Sequence, residues 1–552
     1  MKTVKFRLVL LMIAAVMALG GCVKGGGQEE GKITVTDSLE GKPVLVGNIP
    51  CRFPLADKPL TLNFMSFRSL PTDYEEVYVW KKYEQMTGID VKWTTASLAD
   101  SAEMVYTALM NGADVDLILR CRVDSNRLIQ YAESGLILDL AKDDLLKENA
   151  PNCWAYLQSH PEALASVTNP DGSIYALPQV NSGAELRVSR KIFINKNWLE
   201  RVNMELPATT EEFYDLLKAF KEQDANGNGD MNDEIPLCSM DWMSVYESFY
   251  GAFGLMNRGV HNQVVDCDEP TGKVRFIQSA DGYRDFIEYF QRLYGEGLMD
   301  TNIFTMTAEE WTNNALNDRI GVFCSTNLAS VPANMADNWV GISEALEGPN
   351  GDKQWNSIRA NLHSTGNALI PVTCENPEIV LRWLDYFWTD EGTLFYHMGI
   401  EDETFVEKND GSYDYAPAIY EELKGSSLSF DEVISRYTPY PGGGNPMVEV
   451  APYFMGGEMA AIPAATARAL FAYGPKVYWP IFTFTPEENE KLVEINADVG
   501  KYCTDMRIDF IIGKKSMDEW ESYITQLNQF RIKELLEIYQ AALDRYEKAF
   551  GN

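Results

Sequence analysis

The chain has 552 residues, 81 of them acidic against 47 Lys and Arg, for a formal net charge of −34. That balance excludes a nucleic-acid binder, whose partner's phosphates need a basic surface, and a charge-driven hold on anionic lipid. At this length, and with 45% apolar residues, two or three hydrophobic cores are expected.

Lys2, Lys5 and Arg7 precede an apolar run from Leu8 to Leu19, followed by Gly20-Gly21-Cys22. A basic start, a short apolar segment and small residues form a secretory leader over residues 1–21. The run is too short for a membrane span of about 20 residues. A cysteine directly after the small residues resembles the lipobox of bacterial lipoproteins, which places a lipid on Cys22. Residues 22–58 then serve as a tether, Gly-rich at the start, and the folded part lies outside the cell membrane.

After the tether the chain follows an α/β rhythm. Leu60–Ser66 alternates as a strand, Tyr74–Met86 has helical spacing, and Ile89–Trp93 is a second strand. A helix over Ala102–Met110 leads to an apolar strand, Val115–Leu119. This order implies right-handed crossovers and a largely parallel sheet. Ligands gather outside the carboxyl ends of such strands, which puts Ser66, Phe67 and Arg68, with Arg120, Arg122 and Asp124, on one rim. Asp171–Pro178 reads as a turn and an extended crossing, and a second α/β unit opens near Leu186–Asn195. Its helix starts at a capping box, Thr209 to Glu212, and presents Phe213, Leu216, Leu217 and Phe220 on one face.

Residues 224–234 read Asp-Ala-Asn-Gly-Asn-Gly-Asp-Met-Asn-Asp-Glu. Oxygen side chains recur at Asp224, Asn226, Asn228 and Asp230, two glycines allow a tight turn, and Asp233 and Glu234 close the run. A hard cation such as Ca2+ takes six to eight oxygens at about 2.3–2.6 Å, and alternate spacing aims oxygens at one centre. The pattern is close to an EF-hand loop, with its closing glutamate one position early and Ile235 after it. Asn, Asp and Gly also dominate ordinary turns, but those rarely stack four alternating donors.

Further along, Leu362–Ala368 reads as another crossing with Gly366 as a hinge, and Asn376-Pro377 starts an aromatic helix ending at Gly392. The chain closes on a long helix capped by Ser516 and Glu519, with Trp520, Tyr523, Ile524, Leu527 and Phe530 inward. Eight cysteines besides Cys22 are spread widely, giving neither a zinc ribbon nor a CxxC pair and leaving disulfides open. The four histidines stand apart, and no HExxH, GxSxG, P-loop or GxGxxG motif is present. A carboxylate-pair glycosidase or a calcium-stabilised polysaccharide lyase stays open as an alternative, as does a binder of peptide-like solutes or a surface glycan scavenger.

Cys22, Tyr175-Ala-Leu-Pro178, the loop 224–236 and the aromatic helix before Asp390-Glu-Gly392 together resemble the extracellular solute-binding proteins of ABC importers. The likeness is to the carbohydrate-type group, including alginate-oligosaccharide-binding relatives. It implies a two-lobed periplasmic-binding-protein fold (type II), each lobe a mixed α/β sheet flanked by helices, with a multi-segment hinge. The N-terminal lobe is expected over 59–180 plus 366–440, and the C-terminal lobe over 181–365 plus 441–552. The resemblance further implies a structural Ca2+ held by Asp224, Asn226, Asn228, Asp233 and Glu234 with the backbone of Asp230. It implies capture of an oligosaccharide by a monomer that is not an enzyme, and delivery to a membrane permease. Aromatic stacking is expected from Trp242, Tyr246 and Tyr440, beside Arg68, Arg120, Arg122 and Asp124.

Overall fold

A computed structural model of the protein describes residues 48–549 apart from 69, 410, 425–427 and 454–456. The leader, Cys22 and the tether as far as residue 47 lie outside the described residues.

Among the described residues the strands run, in chain order, β1 Leu60–Phe67, β2 Ile89–Ala96, β3 Leu117–Leu119, β4 Leu177–Ser182, β5 Lys191–Asn195, β6 Ile235–Leu237 and β7 Val265–Asp268. They continue as β8 Lys273–Phe276, β9 Ile320–Ser325, β10 Trp339–Gly341, β11 Leu362–Leu369, β12 Phe405–Glu407, β13 Tyr413–Tyr415 and β14 Val448–Val450. Six build one sheet in the order β14-β4-β11-β3-β1-β2, and four build a second, β10-β5-β9-β6. The pairs β7-β8 and β12-β13 are separate hairpins.

In the first sheet β1 pairs in parallel with β2, Leu60 against Ile89 through Phe67 against Ala96, and with β3. The strand–helix–strand rhythm read from the sequence therefore gives the expected parallel core. The helix Tyr78–Thr87 ends at Gly88, whose φ of 72° supplies the left-handed stop. β11 then runs antiparallel to both β3 and β4, and β14 runs parallel to β4, which makes the sheet mixed. The second sheet is mixed too: β5 is antiparallel to β9 and β10, while β6 is parallel to β9.

Each sheet has its own apolar core. Around the first pack Trp80, Trp383, Phe387, Trp388 and Tyr396, and around the second Trp198, Phe213, Phe249, Phe286 and Phe290. The lobe boundaries differ from those expected. β11 enters the first sheet at Leu362 rather than at 366. At the other end the first lobe runs past 440, because Val448–Val450 lies on β4 and Met447, Val450 and Tyr453 belong to the first core. Gly442, Gly443 and Gly444, all with φ above 65°, fold the chain back to that edge.

Gly366 is no hinge. A Cβ there would collide with the carbonyl of Val123, whose own N–H donates to Gly366 O at 2.9 Å. Gly392 likewise lies inside the helix Asp390–Met398, pressed on the Tyr386 carbonyl, and the helical break falls at Thr389, which caps Gly392 N. The closing helix is two: Trp520–Leu527, behind the expected Ser516–Glu519 capping box, and Ile532–Ala549. Thr209 caps its helix as expected, while the Glu212 carboxylate reaches Ala208 N. The eight described cysteines are free thiols, seven of them buried.

Candidate functional site

The chain crosses between the sheets after β4, before β11 and after β14. At the first crossing Gly183, with φ of 94°, turns the backbone into the short helix Ala184–Arg187 and on to β5. Between the lobes, against these crossings, lies a cavity of about 310 Å³. Its cations are Arg122, Arg190 and Arg359, and its carboxylates are Glu185, Asp431, Glu449 and Glu458. Gln179, Asn181, His363 and Tyr440 complete the polar wall.

A buried carboxylate outside the cavity organises two of the arginines. Glu247, on the helix Trp242–Phe249, is 2% exposed and lies 3.7 Å from Arg190 Nε. It accepts from Gln263 Nε2 at 2.7 Å and from Ser357 Oγ at 3.4 Å. Burial pushes its pKa up, and the Arg190 and Arg359 guanidinium groups oppose that shift. Arg190 also donates to Thr326 Oγ1 at 2.5 Å, and Arg359 Nε to Ser189 Oγ at 3.0 Å. Burial holds the pKa of Arg359 below its ordinary value, and Arg190 adds to this. The same holds for Arg122, through burial and then Arg120. Neither Arg122 nor Arg359 has an ion pair among the described residues. They are charged groups with unused donors facing a cavity, which is costly unless a polar ligand meets them.

On the opposite wall Glu449, 3% exposed, accepts from Gln179 Nε2 at 2.8 Å and Asn445 Nδ2 at 2.5 Å. Burial pushes its pKa to about 7, with the Asn445 bond, Arg120 and Arg122 pulling down and Glu458 pushing up. Burial also raises Asp431, with Glu458 adding to it. His363 is held neutral, well below its usual range, by burial and by Arg359. Asn181 Nδ2 meets its Nδ1 at 3.3 Å and donates to Leu186 O at 3.1 Å, so Nδ1 is the acceptor and Nε2 carries the proton.

Of the residues expected at the site, Arg122 and Tyr440 line the cavity. Tyr440 is only 1% exposed, its ring stacked on His397 at 5.4 Å, so it offers an edge rather than a stacking face. Arg120 is a correction. Fully buried, it donates to Pro439 O at 2.6 Å, Pro441 O at 2.7 Å, Gly443 O at 3.0 Å and the Tyr74 hydroxyl. It bolts the 439–443 loop to β3 and does not line the cavity. Arg120 and Arg122 both have positive φ, 63° and 49°, a backbone that non-glycine residues rarely hold. Arg68 is spent on Thr72 O at 2.6 Å, and Asp124 caps the helix Ser125–Glu133 through Arg127 N. Neither lines the cavity. Trp242 is core, with Phe290 and Phe304 rings 5.1 and 5.0 Å away. Tyr246 donates to Gln263 Oε1 at 2.6 Å and faces a different cavity. Both lie on the helix Trp242–Phe249, whose apolar side packs inward, and composition alone does not separate that side from a ligand face.

The residues missed lie in the crossings: Gln179-Val-Asn181, Glu185 to Arg190, and Arg359 to His363. The available signal was polar alternation inside short extended segments, where an ordinary buried strand is apolar throughout.

At the loop 224–234, Gly227 and Gly229 have φ of 76° and 90°. Asn226 and Asn228 donate their amides to the two Asp233 oxygens, both at 3.0 Å, and Asp224 Oδ2 accepts from Gly229 N at 2.9 Å. Asp224 Oδ1 and both Glu234 carboxylate oxygens are buried with no hydrogen-bond partner. Burial raises Glu234, and Asp233 and Asp224 add to it. Among the described residues no group of three His, Cys, Asp or Glu is drawn together at metal-binding distance. The donor set instead mixes three carboxylates with two amide oxygens, and its orphaned oxygens fit a hard cation.

Two mixed sheets joined by several crossings, with a polar cavity between them, define a two-lobed binding protein. Residues 79–399 match the bacterial extracellular solute-binding protein model, more than half of the chain, and the protein belongs to that family. It is similar to the fructooligosaccharide ABC transporter substrate-binding protein FusA of Streptococcus pneumoniae, 26% identical over 90% of this chain and 92% of FusA. Structures of FusA with kestose and of an EF-hand mutant with fructo-nystose share the fold at TM-scores of 0.72 and 0.71, each 24% identical over 88% of this chain and 99% of the other. Alginate-binding protein AlgQ2 without calcium ion gives 0.69, at 23% identity over 89% and 99%. An HMO-binding, ABC-transporter-associated protein of Bifidobacterium longum infantis gives 0.72, at 20% identity over 89% and 99%. No helix among the described residues is long and apolar enough to cross a membrane.

Proposed function

We propose that this protein captures an oligosaccharide between its lobes and hands it to the permease of an ABC importer. The observation that carries this reading is the cavity of about 310 Å³ at the crossings. Arg122 and Arg359, which have no ion pair among the described residues, and the carboxylates of Glu185, Asp431, Glu449 and Glu458 face it. A sugar hydroxyl donates to a carboxylate and accepts from a guanidinium at once, so a polyhydroxylated ligand satisfies both walls. Closing the lobes on it is a hinge motion through the three crossings, and the ligand favours closure only by its extra affinity for the closed form. FusA's fructooligosaccharides and the other relatives' glycans support a carbohydrate over a peptide. The protein acts as a carrier without catalysis.

Ca2+ in the 224–234 loop and a lipid on Cys22 complete the reading. The cation would take the orphaned oxygens of Asp224 and Glu234 and fasten the exit of the helix Thr210–Glu222 to β6. The lipid would hold the protein near its permease and raise its effective concentration there.

The test is thermal unfolding of the protein against neutral and uronic oligosaccharides, followed by recovery of the sugar. A ligand at 100 times its Kd adds about 2.7 kcal/mol, an evident rise in Tm. One sugar class stabilising the protein and returning intact is the expected result. Cleavage of the sugar, or binding only of peptides, overturns the reading.

A further inference from the structure

Within the second lobe lies another cavity, of about 320 Å³, as large as the one between the lobes. The helix Trp242–Phe249, the stretch around β8 and the helix Pro486–Ile511 enclose it. Arg507 enters it with its guanidinium 4.8 Å from the Tyr246 ring centroid. Its Nε is shut off from solvent without a hydrogen-bond partner, and it has no ion pair among the described residues. Three other cations of this lobe are matched. Lys191 donates to Val188 O and Thr326 O, Arg275 pairs with Asp266 at 2.8 Å, and Arg258 pairs with Glu269 at 3.1 Å. Around Arg507 stand the phenols of Tyr246, Tyr250 and Tyr283, with the Tyr250 hydroxyl as its side-chain partner, and Cys503.

A second lining group is also short of a partner. Gln278, 8% exposed, donates Nε2 to Gln263 O at 3.2 Å while its Oε1 meets nothing. The cavity thus offers an unpaired cation, an orphaned carbonyl acceptor and the aromatic walls of Tyr246 and Tyr250. A half-buried cation without an anion and a buried carbonyl without a donor both raise the energy of the empty site.

We propose that this cavity is a second ligand site, separate from the cleft, for a small hydroxylated acid such as a sugar acid or sugar phosphate. The anion lies on Arg507, the Gln278 amide turns so that its Oε1 accepts from a hydroxyl, and the ring packs beside Tyr246. The volume falls at the lower end of small-molecule sites, about 300–1,000 Å³. Gln263 joins the site to the cleft wall: it accepts from Tyr246 and donates to Glu247, the carboxylate beside Arg190.

The experiment is calorimetric titration of the full-length protein carrying Arg122→Ala and Arg359→Ala, which remove the cleft's two arginines without ion pairs, with D-glucuronate, glucose 1-phosphate and neutral glucose. The expected result is one equivalent of an acidic probe bound and glucose not bound; whichever probe binds identifies carboxylate or phosphate. Adding Arg507→Gln weakens that binding at least tenfold, as removal of a charge-assisted partner does, and adding Arg507→Lys, which keeps the charge, retains measurable binding. Thermal unfolding confirms that each variant is folded. If neither acid binds the protein carrying Arg122→Ala and Arg359→Ala, or if Arg507→Gln leaves the affinity unchanged, the site does not exist.

Discussion

Glu449 makes stability depend on pH in a way that one substitution isolates. Its carboxyl is enclosed between Gln179, Asn445, Arg120, Arg122 and Glu458, and titrates near 7 against 4.5 in the unfolded chain. The folded pKa is raised, so the folded state holds the proton more tightly. The stabilisation is complete below 4.5 and is lost as pH climbs through 7. At about 1.4 kcal/mol for each tenfold change in proton affinity, the fully ionised limit costs about 3 kcal/mol, and some 2 kcal/mol of it falls between about pH 5.5 and 8. Other groups titrate in the same range. Burial moves Asp385 up to about 6, and His261 and His397 down to about 3 and 4. The histidines oppose the carboxyls, because a His buried neutral loses stability as pH falls below its unfolded value of 6.5. Subtraction removes them. Glu449→Gln has no proton to gain and is less stable at low pH, since its amide cannot accept from both Gln179 and Asn445. The gap between wild type and variant in urea unfolding should therefore narrow by about 2 kcal/mol from pH 5.5 to 8. A gap constant across that range would mean that Glu449 is already ionised at the acid end and that its burial is compensated by the two arginines.

Three further outcomes follow from the corrected roles of individual residues. Arg120→Ala strips the 439–443 loop of its bolt and leaves several buried carbonyls unmatched, so urea unfolding should show a loss of about 3 kcal/mol or more. Trp242→Ala, between Phe290 and Phe304, should lose about 3–5 kcal/mol as a core cavity does, while isothermal titration finds the affinity for a cleft ligand within twofold. Unchanged stability with lost affinity would return Trp242 to the ligand. Chelation of Ca2+, or Asp224→Ala, should cost about 2.7 kcal/mol of stability for a site saturated at 100 times its Kd, seen as a lower Tm, and leave cleft affinity nearly unchanged because the loop does not touch the cavity; equal Tm with and without chelator would refute the cation.

The fold was legible because its elements announce themselves locally. Leu60–Phe67 and Ile89–Ala96 alternate, Gly88 stops a helix, and Thr209 starts one, so each level of the sequence agrees with the parallel pairing. The loop 224–234 stands out in the sequence because its oxygen side chains are contiguous. The cleft does not, and the cause is topological. Its groups come from strand ends that meet only after the chain has crossed three times, Asn181 and His363 being 182 residues apart along the chain yet 3.3 Å apart in space. Arg120 and Arg122 show how far a rim argument carries. Both follow β3, but left-handed backbone at each turns one inward to bolt a glycine-rich loop and the other to the cavity. Residue type does not separate them. What separates them is the supply of carbonyl acceptors: Pro439, Pro441 and Gly443 satisfy the first arginine, while the second keeps donors for a guest.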